Sequence, residues 1–158
     1  MKRLTLPIML ILLLTSALFA SWKTGHFVDE FGDNTGETYR GTEVVGVMRN
    51  TATNGAAASL EVIFKSTGKA YISINEYGRS PVTGYTRGTP FKFSMKGNIT
   101  GNVSFTWTWY NNSAIFFGPS YTTKLKNAFK KNTSVIMVIT NLDRPTSIYK
   151  FVIPCSDY

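Results

Sequence analysis

The acidic segment at residues 26–39 carries the side chains that are best suited to chemistry. Four carboxylates lie within nine positions that contain no Lys or Arg, and they are Asp29, Glu30, Asp33 and Glu37. The sequence has nine acidic residues in all, and the same segment holds its single histidine, His26. A pair of carboxylates can act as general acid and base, and several oxygen ligands can bind a hard cation such as Ca²⁺. Catalysis and cation binding are therefore the first functions to weigh.

The spacing of these carboxylates favours a structural turn over either chemistry. Asp29 and Asp33 lie four residues apart across a predicted strand-to-turn junction. A turn exposed to water seldom gives a carboxyl group the shifted pKa that catalysis needs. The ligand pattern of an EF-hand is absent, and one His and one Cys far apart do not form a recognisable zinc site. We therefore predict no catalytic residue, no metal site and no cofactor, and the alternative is a small hydrolase that uses residues 29–37.

Turn chemistry and aromatic side chains surround the carboxylates. Residues 32–36 have the sequence Gly-Asp-Asn-Thr-Gly, in which Gly36 suits a position of positive φ. We predict that the carboxylates pair with Lys or Arg of the remaining domain, and surface pairs of this kind each contribute at most about 1 kcal/mol. Burial of aromatic side chains should supply most of the attachment. These side chains are Trp22, Phe27, Phe31 and Tyr39.

Most of the chain beyond this segment has the pattern of short β-strands. Apolar and polar side chains alternate at 59–65, 91–96 and 103–109, which places the apolar set on one face of each strand. Residues 50–58, with Gly55 followed by three consecutive alanines, predict a loop or an irregular crossing.

One segment departs from this strand pattern. Residues 120–131 place four side chains at helical spacing, with Ser120 as the predicted N-cap. They are Tyr121, Leu125, Ala128 and Phe129. The sequence therefore predicts an all-β fold, a single antiparallel β-sandwich of about eight short strands. One short amphipathic helix at about 120–131 precedes the last two strands.

The first twenty residues have the features of a secretory signal peptide. Lys2 and Arg3 precede an apolar block at 4–14, and smaller side chains follow it. We predict cleavage after Ala20 and one β-sandwich domain at 21–158 without a transmembrane segment. That domain holds 15 basic and nine acidic residues, a net charge of +6, which permits attraction to anions without specifying a function. The expected location is the periplasm or the extracellular space.

Cys155 is the only cysteine of the chain. An exported protein with one thiol has no internal disulfide, so its stability must come from packing. We predict a small buried side chain at the end of the last strand, and the alternative is an intermolecular disulfide.

Four asparagines have the acceptor pattern for N-glycosylation. The short basic region at the N-terminus is typical of bacterial signal peptides, so we interpret these residues as turn asparagines. They are Asn98, Asn102, Asn111 and Asn132.

A loop at 78–90 is a second candidate for binding, because it is rich in Gly, Pro, Ser and Thr. Tyrosine and arginine side chains on or beside this loop are predicted to line an exposed edge. Together with three carboxylates of the acidic segment they form the predicted binding residues, which are Asp29, Asp33, Glu37, Tyr77, Arg79, Tyr85 and Arg87.

The aromatic residues at 107–110 give a third alternative, a glycan-binding module. Trp107, Trp109 and Tyr110 are the residue types that stack on sugars or bases. However, the two tryptophans share their strand face with Val103 and Phe105, which indicates core residues.

The start of the predicted mature chain resembles a group of uncharacterised bacterial exported proteins and lipoproteins. The shared residues are Trp22, the run Val-Asp-Glu-Phe-Gly-Asp at 28–33 and Thr-Gly-x-x-Tyr at 35–39. More distantly, the order of elements is similar to the invasion-associated locus B type of periplasmic sandwich and to envelope accessory proteins of type VI secretion. Those distant relatives have a cysteine pair that this chain lacks. The resemblance implies an exported β-rich protein without a known activity.

The function predicted from the sequence is that of an exported, non-enzymatic binding protein of the bacterial cell envelope. Its expected partner is a protein or another envelope component, with no specific nucleic acid. The hydrolase and the glycan-binding module remain as alternatives, and the oligomeric state stays open.

Overall fold

The computed structural model describes residues 21–77, 80–81, 87–108 and 115–158, and at residues 80, 81 and 116 it describes the backbone alone. This part of the chain forms ten strands and one helix. Their bounds are β1 (Lys23–Val28), β2 (Asn34–Arg49), β3 (Asn54–Lys65), β4 (Ala70–Glu76), β5 (Ser80–Pro81), β6 (Pro90–Gly97), β7 (Asn102–Thr108), β8 (Ile115–Phe117), α1 (Pro119–Lys130), β9 (Ser134–Asn141) and β10 (Ile148–Pro154).

The strands form one antiparallel sheet. Hydrogen-bonded neighbours follow the order β5, β4, β3, β2, β10, β9, β6 and β7. In addition, β1 pairs with β2 and β8 pairs with β4. The sheet curls into a half-barrel. The prediction of an all-β antiparallel fold with one short helix before the last two strands is confirmed.

The sixteen-residue strand β2 organises this sheet. On one side it pairs with β3 from Tyr39 to Arg49. On its other side it pairs first with β1, up to Gly41, and then with β10, from Val47 onward. One long strand therefore joins the N-terminal strand to the C-terminal strand.

The predicted loop at 50–58 is wrong for its second half, because β3 begins at Asn54. Ala58 is buried and lies opposite Gly46 of β2 in the antiparallel register. Alanine has a low intrinsic preference for strands, but pairing and burial override that preference. The register with β2 thus decides the structure of this segment.

Alternating side chains build the core on the concave face of the sheet. Phe91, Phe93 and Met95 of β6 are buried, whereas Lys92 between them and Lys96 after them are exposed. This alternation is the one expected for strands with one face on a core, and β9 and β10 repeat it.

The two ends of the sheet meet across this core. The ring centroid of Phe117 on β8 lies 5.4 Å from that of Phe93, 5.9 Å from that of Phe105 and 6.0 Å from that of Trp107. Since β8 belongs to the end of the sheet opposite to β7, these ring contacts close the half-barrel around a shared interior.

Helix α1 starts one residue earlier than predicted, and Ser120 is not its N-cap. The N-cap is Gly118, without a side-chain hydrogen bond, and Pro119 occupies the first turn. Proline suits this position because its φ is already helical and its missing N–H would have no helical acceptor. The helix buries Leu125 and Phe129 against the core.

Two asparagines fasten the β6–β7 turn to the segment between α1 and β9. The buried Asn132 accepts hydrogen bonds from two backbone N–H groups of that turn, at 2.7 and 3.0 Å. Asn98 in turn accepts from the backbone N–H of Thr133 at 3.1 Å. Asn102 is the exposed first residue of β7, and Asn111 lies outside the described residues.

Replacing Gly46 with alanine should destabilise the fold, because the added Cβ would overlap the carbonyl oxygen of Lys150 and the ring of Phe151. Overpacking of this kind typically costs about 1–3 kcal/mol. Urea unfolding of Gly46→Ala against the parent chain measures the difference. Gly101→Ala is the matched control, because its Cβ would meet no atom within 4 Å. Equal stability of the two variants would contradict the close packing of β2 on β10.

Candidate functional site

The carboxylate of Asp29 organises the turn between β1 and β2. Its Oδ1 accepts hydrogen bonds from the backbone N–H groups of Phe31 and Asp33, both at 2.9 Å. The backbone N–H of Asp29 also donates to the carbonyl oxygen of Asp33 at 2.9 Å. Gly32 and Gly36 have the positive φ values that the turn requires, 89° and 78°, and the latter was predicted. Asp29 and Asp33 are thus brought together as parts of an exposed turn.

Glu37 forms the ion pair that was expected between the acidic segment and the rest of the domain. Its Oε2 lies 2.9 Å from the Nζ of Lys65, which also lies 4.2 Å from the ring centroid of Phe27. Trp22 is buried as predicted. Phe31 is 83% exposed, so the prediction of its burial is wrong. Its backbone N–H donates to the Asp29 carboxylate within the exposed turn.

The other predicted binding residues do not join this acidic turn. Tyr77 follows β4, is exposed and has a φ of 47°. The preceding Glu76 pairs with Ala58, which pairs in turn with Gly46, at the end of β2 away from the turn. Arg87 is exposed just before β6. Arg79 and Tyr85 lie outside the described residues.

A cleft of about 240 Å³ opens where β1, β2, β3 and α1 meet the end of the chain. Four of its lining side chains are cationic, three carry aliphatic hydroxyl groups and three are aromatic. None of the ten is Asp, Glu, His or Cys. They are Arg40, Lys65, Lys126 and Lys130; Thr24, Thr38 and Ser66; and Tyr39, Phe64 and Tyr158.

Arg40 of the cleft contacts two residues at the end of the chain. Its guanidinium group lies over the ring of Tyr158, 5.2 Å from the centroid, and its Nη2 donates to the carbonyl oxygen of Asp157. Its Nε is buried and has no hydrogen-bond partner in the described part of the chain. Burial raises the pKa of Tyr158 to about 12, against the opposing effect of the Arg40 charge. The phenol is therefore neutral at physiological pH and adds no negative charge.

Helix α1 supplies two further cations to the cleft. Lys126 and Lys130 are four residues apart, so they project from the same side of the helix. The Nζ of Lys126 lies 5.6 Å from the ring centroid of Phe64. Lys130 lies in the last turn, where the helix dipole favours a positive charge.

An aromatic cluster lies beneath the cleft and holds its parts in place. The ring of Trp22 stacks on that of Phe64 at 5.8 Å and contacts that of Tyr158 at 4.5 Å. The indole Nε1 of Trp22 donates to the carbonyl oxygen of Pro154, and its backbone N–H donates to the carboxylate of Asp157, each at 2.9 Å. These contacts fix the end of the chain against β1.

The sequence pattern did not identify this cleft. The spacing of Lys126 and Lys130 was the available signal, but lysines late in a helix are ordinary partners of the helix dipole. Arg40 and Tyr158 are separated by more than one hundred residues, and only the fold brings them together.

No protein-family model, curated protein or solved structure matches this chain. The resemblance to bacterial exported proteins therefore stays a prediction. Within the described ranges, no group of three or more His, Cys, Asp or Glu side chains is placed to hold a metal ion. No helix in those ranges is long and apolar enough to cross a membrane.

Cys155 is buried directly after β10, as predicted. Its Sγ donates to the carbonyl oxygen of Ile153 at 3.3 Å. Burial, reinforced by the charge of Asp157, raises the pKa of the thiol from 9.0 to about 12. The thiol is thus neutral and shielded in the folded protein.

Truncation of Asp29 should loosen the turn, because two backbone N–H groups lose their acceptor. We expect Asp29→Ala to lower the free energy of unfolding by about 1 kcal/mol, measured by urea denaturation. Glu30→Ala removes the same charge from the next position, where the side chain is exposed, and should change stability by less than about 0.5 kcal/mol. A larger effect at Glu30 would show that charge, not the turn hydrogen bonds, determines the result.

Alkaline pH should destabilise the parent chain through Cys155. Because the pKa of the folded thiol exceeds that of the unfolded thiol, this contribution is constant below about pH 9 and is lost progressively toward pH 12. The measurement is the urea midpoint as a function of pH for the parent and Cys155→Ala. The difference between the two proteins should be flat below pH 9 and should shift in favour of the variant above it. Parallel curves across the whole range would refute this assignment.

Proposed function

We propose that this chain is an exported, non-enzymatic binding protein of the bacterial cell envelope, and that it holds an anionic group of its partner in the cleft. The observation that carries this proposal is the convergence of four cations and three aliphatic hydroxyl groups on one cleft without a lining Asp or Glu side chain. Export is supported by the pattern of the first twenty residues.

The electrostatics of the cleft favour an anion with several oxygen atoms. Glu37 already pairs with Lys65, so Arg40, Lys126 and Lys130 are the cations that give the cleft its excess positive charge. A guanidinium group presents its N–H donors in a planar fork that matches carboxylate and phosphate oxygens. Side chains at the border of the cleft, such as Thr24, add neutral hydroxyl groups.

The chemistry of the lining supports binding over hydrolysis. A hydrolase of the kind considered for residues 29–37 needs a carboxylate pair at its substrate. Asp29 and Asp33 instead form an exposed turn, and no Asp or Glu side chain is among the residues that line the cleft. These placements favour recognition of a charged group that stays chemically unchanged.

The packing of Trp107 argues against a glycan-binding module that uses residues 107–110. Its ring lies 4.5 Å from that of Tyr121 and 6.0 Å from that of Phe117, and the side chain packs against the core. Trp109 and Tyr110 lie outside the described residues. A platform of two stacked tryptophans is therefore not the basis of the proposal.

Removing the two helix cations of the cleft should weaken binding of anionic probes. We expect Lys126→Gln combined with Lys130→Gln to raise the Kd for inorganic pyrophosphate or glucuronate at least about tenfold, because charge-assisted hydrogen bonds are lost. Isothermal titration calorimetry at about 0.15 M ionic strength, where the Debye length is about 8 Å, measures the Kd.

The matched control removes two other lysines at the same helix. Lys124 and Lys131 flank the same pair in sequence but do not line the cleft. Changing both to Gln removes an equal charge and should alter the Kd less than about threefold, because screened charges at the surface act weakly. Equal losses in the two variants, or no heat of binding for either probe to the parent chain, would refute the cleft as the site.

A further inference from the structure

The convex face of the sheet carries a second basic surface that shares no residue with the cleft. On β2, β10, β9 and β6, the side chains that alternate with the buried core residues point outward. We call the outward side of β6, β9, β10 and residues 45–49 of β2 the basic face. Its defining residues are Arg49, Lys92, Lys96 and Lys150, with Val47 and Val152.

Antiparallel register places cations and aliphatic side chains next to each other on this face. Lys150 of β10 lies opposite Val47 of β2. Ile136 of β9 lies opposite both Lys96 of β6 and Val152 of β10. Val47 and Val152 are 49% and 55% exposed, so water contacts much of their apolar surface.

The charge on this face has one sign. Four exposed cations occupy three of the four strands, β2, β10 and β6, and the described outward residues of this face include no Asp or Glu. The next outward carboxylate of β2 is that of the exposed Glu43, four residues from Val47. Neighbouring strands are about 4.8 Å apart and residues along a strand about 3.3 Å apart, so the two most distant cations, Arg49 and Lys96, are about 20 Å apart. Such a patch attracts a surface with many anionic groups.

We propose that the basic face docks on a membrane surface that contains anionic phospholipids. Three of the four cations are lysines, whose flexible stems can lie along apolar surface while their ammonium groups reach phosphate oxygens. Val47 and Val152 between them suit shallow insertion at the head-group boundary. Single-stranded nucleic acids and sugars are bound through aromatic stacking, and the described outward residues of this face include no aromatic side chain. This proposal does not rest on the cleft and goes beyond its proposed role.

The test is co-sedimentation with vesicles. The parent chain, Lys92→Gln combined with Lys150→Gln, and Lys124→Gln combined with Lys131→Gln are mixed with phosphatidylcholine vesicles and with vesicles that also contain phosphatidylglycerol. The ratio of binding to the two vesicle types is compared among the three proteins. Any contribution of residues 1–20, which all three proteins share, then cancels. Each basic residue near an anionic membrane multiplies partitioning by about fivefold, so the first variant should lose about 25-fold and the second far less.

A second variant tests the apolar part of the surface. Val47→Ser combined with Val152→Ser should weaken the binding that remains at high salt, where attraction between charges is screened. Equal binding of the parent chain to both vesicle types would overturn the proposal, as would equal losses in the two lysine variants. Face-dependent binding to soluble polyglutamate without binding to anionic vesicles would also overturn it, in favour of an acidic protein. Since the cleft lysines are unchanged in every variant, failure here leaves pyrophosphate binding at the cleft unaffected.

Discussion

The packing of Trp22 against Phe64, Phe129 and Tyr158 is the interaction on which the rest of this structure depends. These rings come from the segment before β1, from β3, from α1 and from the end of the chain, with centroids 4.5–5.8 Å from that of Trp22. Burial of each such ring contributes about 1.5–3 kcal/mol. Because the single cysteine, Cys155, is free, no internal disulfide contributes to this attachment.

The cleft is a consequence of that aromatic packing. Tyr158 is held against Trp22, and Arg40 lies over its ring, so the guanidinium group is fixed at the point where the helix lysines also reach. The ion pair of Glu37 with Lys65 places the negative charge beside the cleft and leaves the other cations in excess. The acidic segment therefore contributes one carboxylate, that of Glu37, to the charges next to the cleft. The carboxylates of Asp29 and Asp33 lie in the turn of the β1–β2 hairpin.

Local sequence signals predicted the features that depend on neighbours along the chain. Alternation identified strands such as β6, helical spacing identified α1 within one residue at each end, and the glycine pattern identified the positive φ of Gly36. The start of β3 was missed because its alanines are placed by pairing with β2. The cleft was missed for the same reason, since Arg40, Lys126 and Tyr158 are far apart in sequence and meet only through the register of β2 and the docking of α1.

We propose that the cleft at this junction of strands, helix and chain end binds anions. Backbone amide chemical shifts during a titration with inorganic pyrophosphate test it most directly, because they locate the bound ion on the protein. We expect saturable shifts at Thr38, Arg40 and Ser66, with little change at Ser94 or Val138 on the convex face. Shifts confined to the convex face, or no saturable shift at the cleft, would contradict it.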